Sequence, residues 1–246
     1  MNARETRAHF DALAREKRPA RGLGCGFGQR YDPPGMSRQT GLFRQLDAVL
    51  ENSLDAWGAL PPGPVLDLGC GTFFYHSLLA KRFPVVLGVD GSFFMLSAGA
   101  GKSGFPAGTL AACADARSLP LPDAAFSCVF SLDVLHHLDE PGRVIREIRR
   151  VLAPGGLYVA IEPNLLNPGM LLAHLLPPEE RDALRWNWPG RLRALLSPIF
   201  GEVRLSYFNL SLSRGVSTVA NALFPFRANG SGPWAMRMVA ACRKSP

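Results

Sequence analysis

The sequence predicts an α/β fold in which helices cover both faces of a mostly parallel sheet. The first indication is the apolar run Val65–Leu68, which leads directly into a glycine-containing turn at residues 69–71. The second is the apolar run 85–90, which ends in Asp90. The third is the alternation of further short apolar runs with helix-patterned stretches along the chain. Short apolar runs that end in glycine or polar residues are typical of buried parallel strands.

Two helices are predicted before the sheet, at residues 6–18 and 39–57. The second has apolar side chains at helical spacing, so one face is expected to pack on the core. The segment Pro61-Pro62-Gly63-Pro64 then ends the helical pattern and precedes the first strand. We therefore expect residues 1–58 to form a helical extension that covers the site as a lid, and residues 59–246 to form the main domain.

The main domain continues with a helix at 75–82 and with strands at 109–114, 127–132 and 157–162. Residues 143–152 form an amphipathic helix that Pro154-Gly155-Gly156 is expected to end. A sixth strand is predicted at 202–208 and a last one at 234–242. Residues 163–200 are longer than a simple connection, and we predict that this insertion forms part of a substrate lid.

The turn at residues 69–71 and Asp90 together indicate a nucleoside cofactor. Glycine lets the backbone approach a ligand closely, and a carboxylate after the second strand accepts hydrogen bonds from a ribose. The dinucleotide fingerprint G-x-G-x-x-G fails, because Phe74 stands at its third glycine position. Asp67 lies just before the turn, where a carboxylate suits a cationic ligand better than a pyrophosphate.

At these residues the chain resembles the class I S-adenosylmethionine-dependent methyltransferases, of the small-molecule type with a methyltransferase domain 11-like pattern. Asp67, Gly69 and Gly71 carry the family's first motif, D-x-G-x-G-x-G, and Phe73 stands at its third glycine. The resemblance extends over residues 60–165 or so. It implies a Rossmann-like, seven-stranded, mostly parallel sheet with helices on both faces and the last strand antiparallel. It also implies S-adenosyl-L-methionine as cofactor and S-adenosyl-L-homocysteine as product.

The same resemblance implies which residues contact the cofactor. Asp115 would bond the adenine amino group, and the backbone amide of Ala116 would meet the ring. Cys70 is interpreted as a small residue that fills a tight bend. The full predicted set is Asp67, Gly69, Cys70, Gly71, Asp90, Gly91, Met95, Asp115, Ala116, Ser131 and Leu132.

Catalysis and acceptor binding are predicted from residues near the expected methyl group. His136 and His137 follow the fourth strand and are candidate bases for an acceptor that must lose a proton. Glu162 and Tyr31 are weaker candidates for the same role. The predicted acceptor contacts are Tyr31, Glu162, Asn164, His174, Trp186 and Trp188. No metal site is expected, because the five cysteines are scattered and no acidic cluster stands out.

The formal charge of +7 is unevenly distributed, and residues 181–246 contain 10 basic and 2 acidic residues. Basic flanks attract an anionic acceptor, an anionic membrane surface or RNA, although a solvated arginine-rich surface explains them equally well. The start of the chain does not resemble a secretory signal, and the longest apolar stretch is too short to span a membrane. We expect a cytoplasmic monomer or homodimer, with peripheral membrane association as an option.

Three functions remain open. The favoured one is methyl transfer to the oxygen, nitrogen or carbon of a small molecule, which includes anionic and lipid-like metabolites, natural products and glycans. RNA methylation is the second, although no appended RNA-binding module is present in the sequence. DNA is not an expected partner, because Ser131-Leu132-Asp133-Val134 replaces the signature of DNA amine methylation. The third, motivated by Phe73, is a cofactor-binding protein without transferase activity.

Overall fold

The structure is a computed structural model that describes residues 3–16, 40–73, 75–100, 109–176, 180–209 and 234–245. Two helices precede the sheet, α1 (Ala3–Glu16) and α2 (Thr40–Asp55), close to the predicted positions. Within these described ranges, no helix combines the length and the apolar character needed to cross a membrane.

Seven strands form one sheet in the order β3-β2-β1-β4-β5-β7-β6. The strands β1 to β6 run parallel, and β7 is antiparallel to both of its neighbours. This arrangement confirms the predicted seven-stranded sheet with an antiparallel last strand. The strands are β1 (Val65–Leu68), β2 (Val86–Asp90), β3 (Thr109–Cys113), β4 (Phe126–Leu132), β5 (Leu152–Pro163), β6 (Val203–Phe208) and β7 (Arg237–Arg243).

Helices connect these strands and pack on both faces of the sheet. The remaining helices are α3 (His76–Ala80), α4 (Phe93–Ala100), α5 (Pro141–Val151), α6 (Pro168–Leu175), α7 (Ala183–Trp186) and α8 (Pro189–Phe200), with a 3₁₀ turn at Leu135–His137. On one face, buried side chains of α5 and α8 such as Ile145, Ile148 and Leu196 pack on the sheet. On the other face, Leu50 of α2 and Leu79 of α3 do the same.

The insertion between β5 and β6 is helical, and its sequence explains where two of its helices begin. Pro168 occupies the first turn of α6, where a missing N–H costs nothing, and Pro189 does so in α8. The Asn167 side chain caps α6 by accepting a hydrogen bond from the Met170 backbone N–H at 3.0 Å. The insertion predicted at residues 163–200 therefore contains three described helices, α6 to α8.

The strand β5 begins five residues earlier than its apolar pattern predicts, at Leu152 instead of Leu157. Leu152 pairs with Phe126, and the register then shifts before Cys128 pairs with Leu157. The segment Pro154-Gly155-Gly156 thus lies inside an irregular strand, because α5 has already ended at Val151. Residues 210–233, between β6 and β7, lie outside the described residues.

Candidate functional site

A cavity of about 630 Å³ lies beyond the carboxyl ends of the parallel strands. Its described walls come from α1, the turn after β1, the ends of β2 and β3, the start of α4 and the segment after β4. Ligands of open α/β sheets bind at this edge, where the strand order reverses. Strand β1 is at that reversal, between β2 and β4.

The turn after β1 forms the floor of the cavity. Gly69 and Gly71 have φ angles of 71° and 54°, a region in which a side chain is strained. The backbone N–H groups of Gly69 and Cys70 both donate to the carbonyl oxygen of Val89, at 2.7 Å and 3.2 Å. These bonds fix the turn against the end of β2, so that it lies next to Asp90.

Asp90 lies on the cavity wall with both carboxylate oxygens oriented by the backbone. Its Oδ2 accepts a hydrogen bond from the N–H of Gly71 at 2.9 Å, and its Oδ1 accepts one from the N–H of Ser92 at 2.8 Å. Burial raises the pKa of Asp90, although the two N–H groups act in the opposite direction. Each carboxylate oxygen has a second lone pair with which to accept a ligand hydroxyl.

Phe73, which replaces the family's third glycine, is buried beneath the turn. Its ring makes an edge-to-face contact with His76 at 5.0 Å and packs in a small apolar cluster with Cys70 and Leu96. The Phe73 backbone has a φ angle of 62°, so the phenylalanine adopts the conformation that a glycine would provide. The bulky side chain therefore points away from the space that the cofactor is expected to occupy.

Asp67 was predicted to contact the cofactor, but its carboxylate faces the protein core and the residue is not among the described residues that line the cavity. Its Oδ2 lies 2.9 Å from Nδ1 of His76, and both side chains are buried. Asp67 thus anchors the start of α3 to β1, which supports the turn from below. Cys70 does line the cavity. Burial, followed by the charges of Asp67 and Asp90, raises the pKa of its thiol well above the ordinary value, so the thiol remains protonated.

The predicted adenine end is formed by residues after β3. Asp115 and Ala116 line the cavity, together with Arg117. The Arg117 guanidinium donates to both carboxylate oxygens of Asp115, with Nη2 at 2.7 Å from Oδ2, and this lowers the pKa of Asp115. An adenine amino group would therefore share the Asp115 carboxylate with Arg117.

Helix α1 closes the cavity on the side opposite the turn. The Thr6 hydroxyl donates to the backbone carbonyl of His137 at 3.2 Å, and the Phe10 ring packs edge-to-face on the His137 ring at 5.2 Å. Farther along the helix, Asp11 accepts a hydrogen bond from the Ser92 hydroxyl. Thus α1 bridges the ends of β2 and β4, and Arg4 and Arg7 bring positive charge to the same wall.

The two adjacent histidines point to different places. His137 lines the cavity, whereas His136 is buried behind it with Nδ1 at 2.6 Å from Oε2 of Glu162. Burial disfavours a charged His136, but Glu162, Glu180 and Asp133 outweigh this effect and raise its pKa. Of the two predicted bases, only His137 is among the described residues that line the cavity.

Glu162 was predicted to contact the acceptor, but it lies fully buried beneath the segment after β4 and is not among the described residues that line the cavity. Its Oε1 accepts hydrogen bonds from the backbone N–H groups of Val134 and Leu135, at 3.1 Å and 2.8 Å. Its Oε2 accepts from His136 and, at 3.4 Å, from the Asn187 amide of the insertion. The carboxylate therefore orients a site segment instead of contacting an acceptor.

A buried ion pair next to this segment was not anticipated from the sequence. Asp133 lines the cavity and pairs with Arg237, the first residue of β7. The available signal was an arginine at the start of an apolar run, since Met236 and Met238 flank it. The pair connects the end of β4 to β7 beneath the cavity.

Further predicted contacts belong to the scaffold. The Ser131 hydroxyl is buried against the Tyr158 hydroxyl at 2.9 Å, and the Asn164 amide donates to the Ala235 carbonyl at 2.7 Å.

The predicted acceptor contacts of the insertion lie away from the cavity walls. His174 is buried in α6, and Trp188 donates its indole N–H to the Leu184 carbonyl. Trp186 ends α7, away from the cavity walls. Tyr31 lies outside the described residues.

The remaining predicted cofactor contacts lie together on the cavity wall. They are Gly69, Cys70, Gly71, Asp90, Gly91, Met95, Asp115, Ala116 and Leu132. These residues fit the expected cofactor, because the glycine turn admits a ligand at close range and Asp90 presents free lone pairs toward a ribose. The acidic side chain of Asp90 also favours a cationic sulfonium nearby.

Gly69→Ala is expected to weaken cofactor binding by more than about tenfold, because a Cβ at this position would lie 2.4 Å from Cγ2 of Val134. The turn would have to move, and the Asp90 carboxylate that it supports would move with it. Gly71→Ala is the matched control for backbone strain, because its φ angle of 54° is also strained for alanine, whereas its Cβ would meet only Cε of Met95 at an ordinary 3.5 Å. Calorimetric titration with S-adenosylhomocysteine measures both variants, and equal affinities would contradict the expected clash.

Comparisons with known proteins agree with this geometry. Residues 66–160 match the family model described as a methyltransferase domain. A malonyl-(acyl-carrier protein) O-methyltransferase from Legionella pneumophila is 35% identical over 109 residues, which cover 43% of this chain and 38% of that protein. The chain spans only about a third of the length of the first curated relatives that it matches.

Two solved structures share the fold. A S-adenosylmethionine-dependent methyltransferase from Thermotoga maritima superposes with a TM-score of 0.61 at 19% identity, covering 89% of this chain and 98% of that one. The cyclase SpnF superposes with a TM-score of 0.55 at 23% identity, covering 82% and 80%. At these identities the two structures establish the fold of the chain.

Proposed function

Since the chain carries a class I S-adenosylmethionine-dependent methyltransferase domain, we propose that it transfers the methyl group of S-adenosylmethionine to a small-molecule acceptor. The observation that carries this proposal is the Asp90 carboxylate, oriented by Gly71 and Ser92 at the wall of a cavity beside a glycine turn. The cofactor would supply an electrophilic methyl group. The chain itself would bind donor and acceptor, orient them and exclude water.

The position of α1 supports a small acceptor that is enclosed during the reaction. Thr6 and Phe10 contact His137 and line the cavity, so α1 restricts access to the space beside His137. We propose that α1 and the insertion together act as the lid. Arg4 and Arg7 on this lid favour a carboxylate or phosphate in the cavity, contributed by the acceptor or by the methionine part of the cofactor.

Methyl transfer is tested by the formation of S-adenosylhomocysteine when hydroxyl, amine and activated-carbon acceptors are supplied to the purified chain. The expected result is product formation that depends on one class of small acceptor. Product that appears only with RNA and disappears after ribonuclease treatment would support RNA methylation instead. Tight cofactor binding with product never above the acceptor-free level would support a binding protein without transferase activity.

We predict that His137→Ala lowers kcat for a hydroxyl acceptor by about a hundredfold and changes the cofactor Kd by no more than about threefold. His137 is the candidate base on the cavity wall, and such a base is needed when a hydroxyl must lose its proton. His9→Ala is the matched control, because the His9 ring contacts the same Phe10 ring at 5.3 Å but His9 is not among the described residues that line the cavity. An unchanged kcat and an unchanged pH profile in His137→Ala would rule out the base.

A further inference from the structure

We infer that His136, His174 and Glu180 form a binding site for a divalent transition-metal ion, which ties the insertion to the segment after β4. Nε2 of His136 lies 3.8 Å from Oε2 of Glu180, and Nε2 of His174 lies 3.9 Å from the same oxygen. All three atoms are within 4.8 Å of one another. They come from the 3₁₀ turn, from the last turn of α6 and from the chain just before α7.

The Nδ1 atom of each histidine already forms a hydrogen bond within the protein. The Nδ1–H of His136 donates to the Glu162 carboxylate at 2.6 Å. The Nδ1–H of His174 donates to the Met170 carbonyl at 2.8 Å, and a carbonyl can only accept. In both neutral rings the lone pair is therefore on Nε2, which faces Glu180. Carboxylate and carbonyl partners on the other ring nitrogen are the arrangement found behind metal-bound histidines.

The type and spacing of the donor atoms indicate which metal the site prefers. Two imidazole nitrogens and one carboxylate oxygen suit Zn²⁺ or Fe²⁺, whereas Mg²⁺ and Ca²⁺ prefer oxygen alone. In a tetrahedral zinc site the donor atoms are about 3.3 Å apart. Each histidine therefore needs to approach Glu180 by about half an ångström, and the two histidine nitrogens, which lie within 4.8 Å of each other, need to approach by up to about 1.5 Å. Three protein ligands leave a fourth position for water. Glu180, whose side chain is 30% exposed, gives the ion a route from solvent.

The surrounding charges favour a dication. Glu162, Glu180 and Asp133 are three negative groups that act on His136, and Arg237 is paired with Asp133. Once the ion has displaced the proton that the raised pKa of His136 favours, both imidazoles are neutral and the cluster has a net charge of −2, which a divalent ion balances. Burial of His136, only 2% exposed, makes this balance more valuable, because unpaired charge in the interior is costly.

Such an ion would act on the insertion, which this site joins to the core. His174 belongs to α6 and Glu180 precedes α7, whereas His136 is adjacent to the cavity residue His137. No metal was expected because the sequence has neither paired cysteines nor an acidic cluster. His136 and His174 are separated along the chain by α5 and β5, and only the fold brings them together.

Zinc binding to the full chain tests this inference. Metal-free protein is titrated with Zn²⁺ in competition with a chromophoric chelator, for the wild type and for His174→Gln and Glu180→Gln. The wild type is expected to take up a single equivalent, and each variant is expected to lose affinity by about a hundredfold or more. Glu202→Gln, which alters an exposed carboxylate that pairs with Arg204, is expected to bind as the wild type does.

Two further measurements keep the test decisive. Zn²⁺ should raise the melting temperature of the wild type and leave that of Glu180→Gln unchanged, since an ion that binds only the folded state stabilises it. Titration of the metal-free chain with S-adenosylhomocysteine reports the cofactor site separately. If the wild type does not bind Zn²⁺ stoichiometrically, or if both variants still bind it, the metal site is wrong. Either result would leave the proposed methyl transfer unaffected.

Discussion

Asp90→Asn is expected to weaken the binding of S-adenosylmethionine by about a hundredfold, because hydrogen bonds to a charged group contribute about 1.5–3 kcal/mol each. The carboxylate is fixed by the N–H groups of Gly71 and Ser92, and its remaining lone pairs face the cavity. An amide of the same size keeps one acceptor oxygen but turns an NH₂ group toward one of these N–H groups. The variant therefore loses the charge and disturbs the turn.

Calorimetric titration of wild type and variant with S-adenosylmethionine measures this loss. Asp55→Asn is the matched control, because Asp55 is an exposed aspartate at the end of α2, away from the cavity. Thermal unfolding of both variants separates lost binding from lost folding. If the affinity of Asp90→Asn is within about threefold of that of the wild type, the loss is less than about 0.7 kcal/mol. That result would show that the Asp90 carboxylate does not bind the cofactor.

Glu162→Ala is expected to lower the free energy of unfolding by about 3–5 kcal/mol, the cost typical of removing one partner of a buried charged network. The change leaves the backbone N–H groups of Val134 and Leu135 without their acceptor in the protein interior. It also removes the partner of Nδ1 of His136. Buried donors without an acceptor lose their hydrogen bonds to water on folding and form none within the protein.

Urea unfolding in the presence of a chelator measures this effect without any contribution from metal. Glu162→Gln is the informative companion, because its amide oxygen can still accept from Val134 and Leu135 while its NH₂ group faces the other side. It is expected to retain a large part of the lost stability. A loss below about 1 kcal/mol in Glu162→Ala would show that water replaces the carboxylate and that the network does not orient the segment after β4.

The parts of the fold that were predictable from the sequence depend on local patterns. Apolar runs that end in Gly69 and in Asp90 specified two adjacent strands and a ligand edge, because the carboxyl ends of parallel strands meet there. The antiparallel β7 came from the resemblance to the family. The start of β5 was predicted wrongly, because the apolar run begins only at Leu157. The strand begins at Leu152, which pairs with Phe126 before a register shift.

The site shows where such patterns stop being informative. His136 and His137 are adjacent in the sequence, yet the 3₁₀ turn directs one toward Glu162 and the other toward the cavity. Asp67 satisfies the family motif, but its carboxylate bonds His76 in the core. These outcomes depend on partners that are distant along the chain or on the direction of a single turn, and neither is encoded in residue type or spacing.

The central claim, that this cavity binds S-adenosylmethionine, is tested most directly by calorimetric titration of the purified wild-type chain with that cofactor and, separately, with NAD. The expected result is saturable micromolar binding of S-adenosylmethionine or S-adenosylhomocysteine and no heat from NAD. Binding of NAD, or of neither ligand, would contradict the claim, because the Asp90 carboxylate and the turn at residues 69–71 would then serve another ligand.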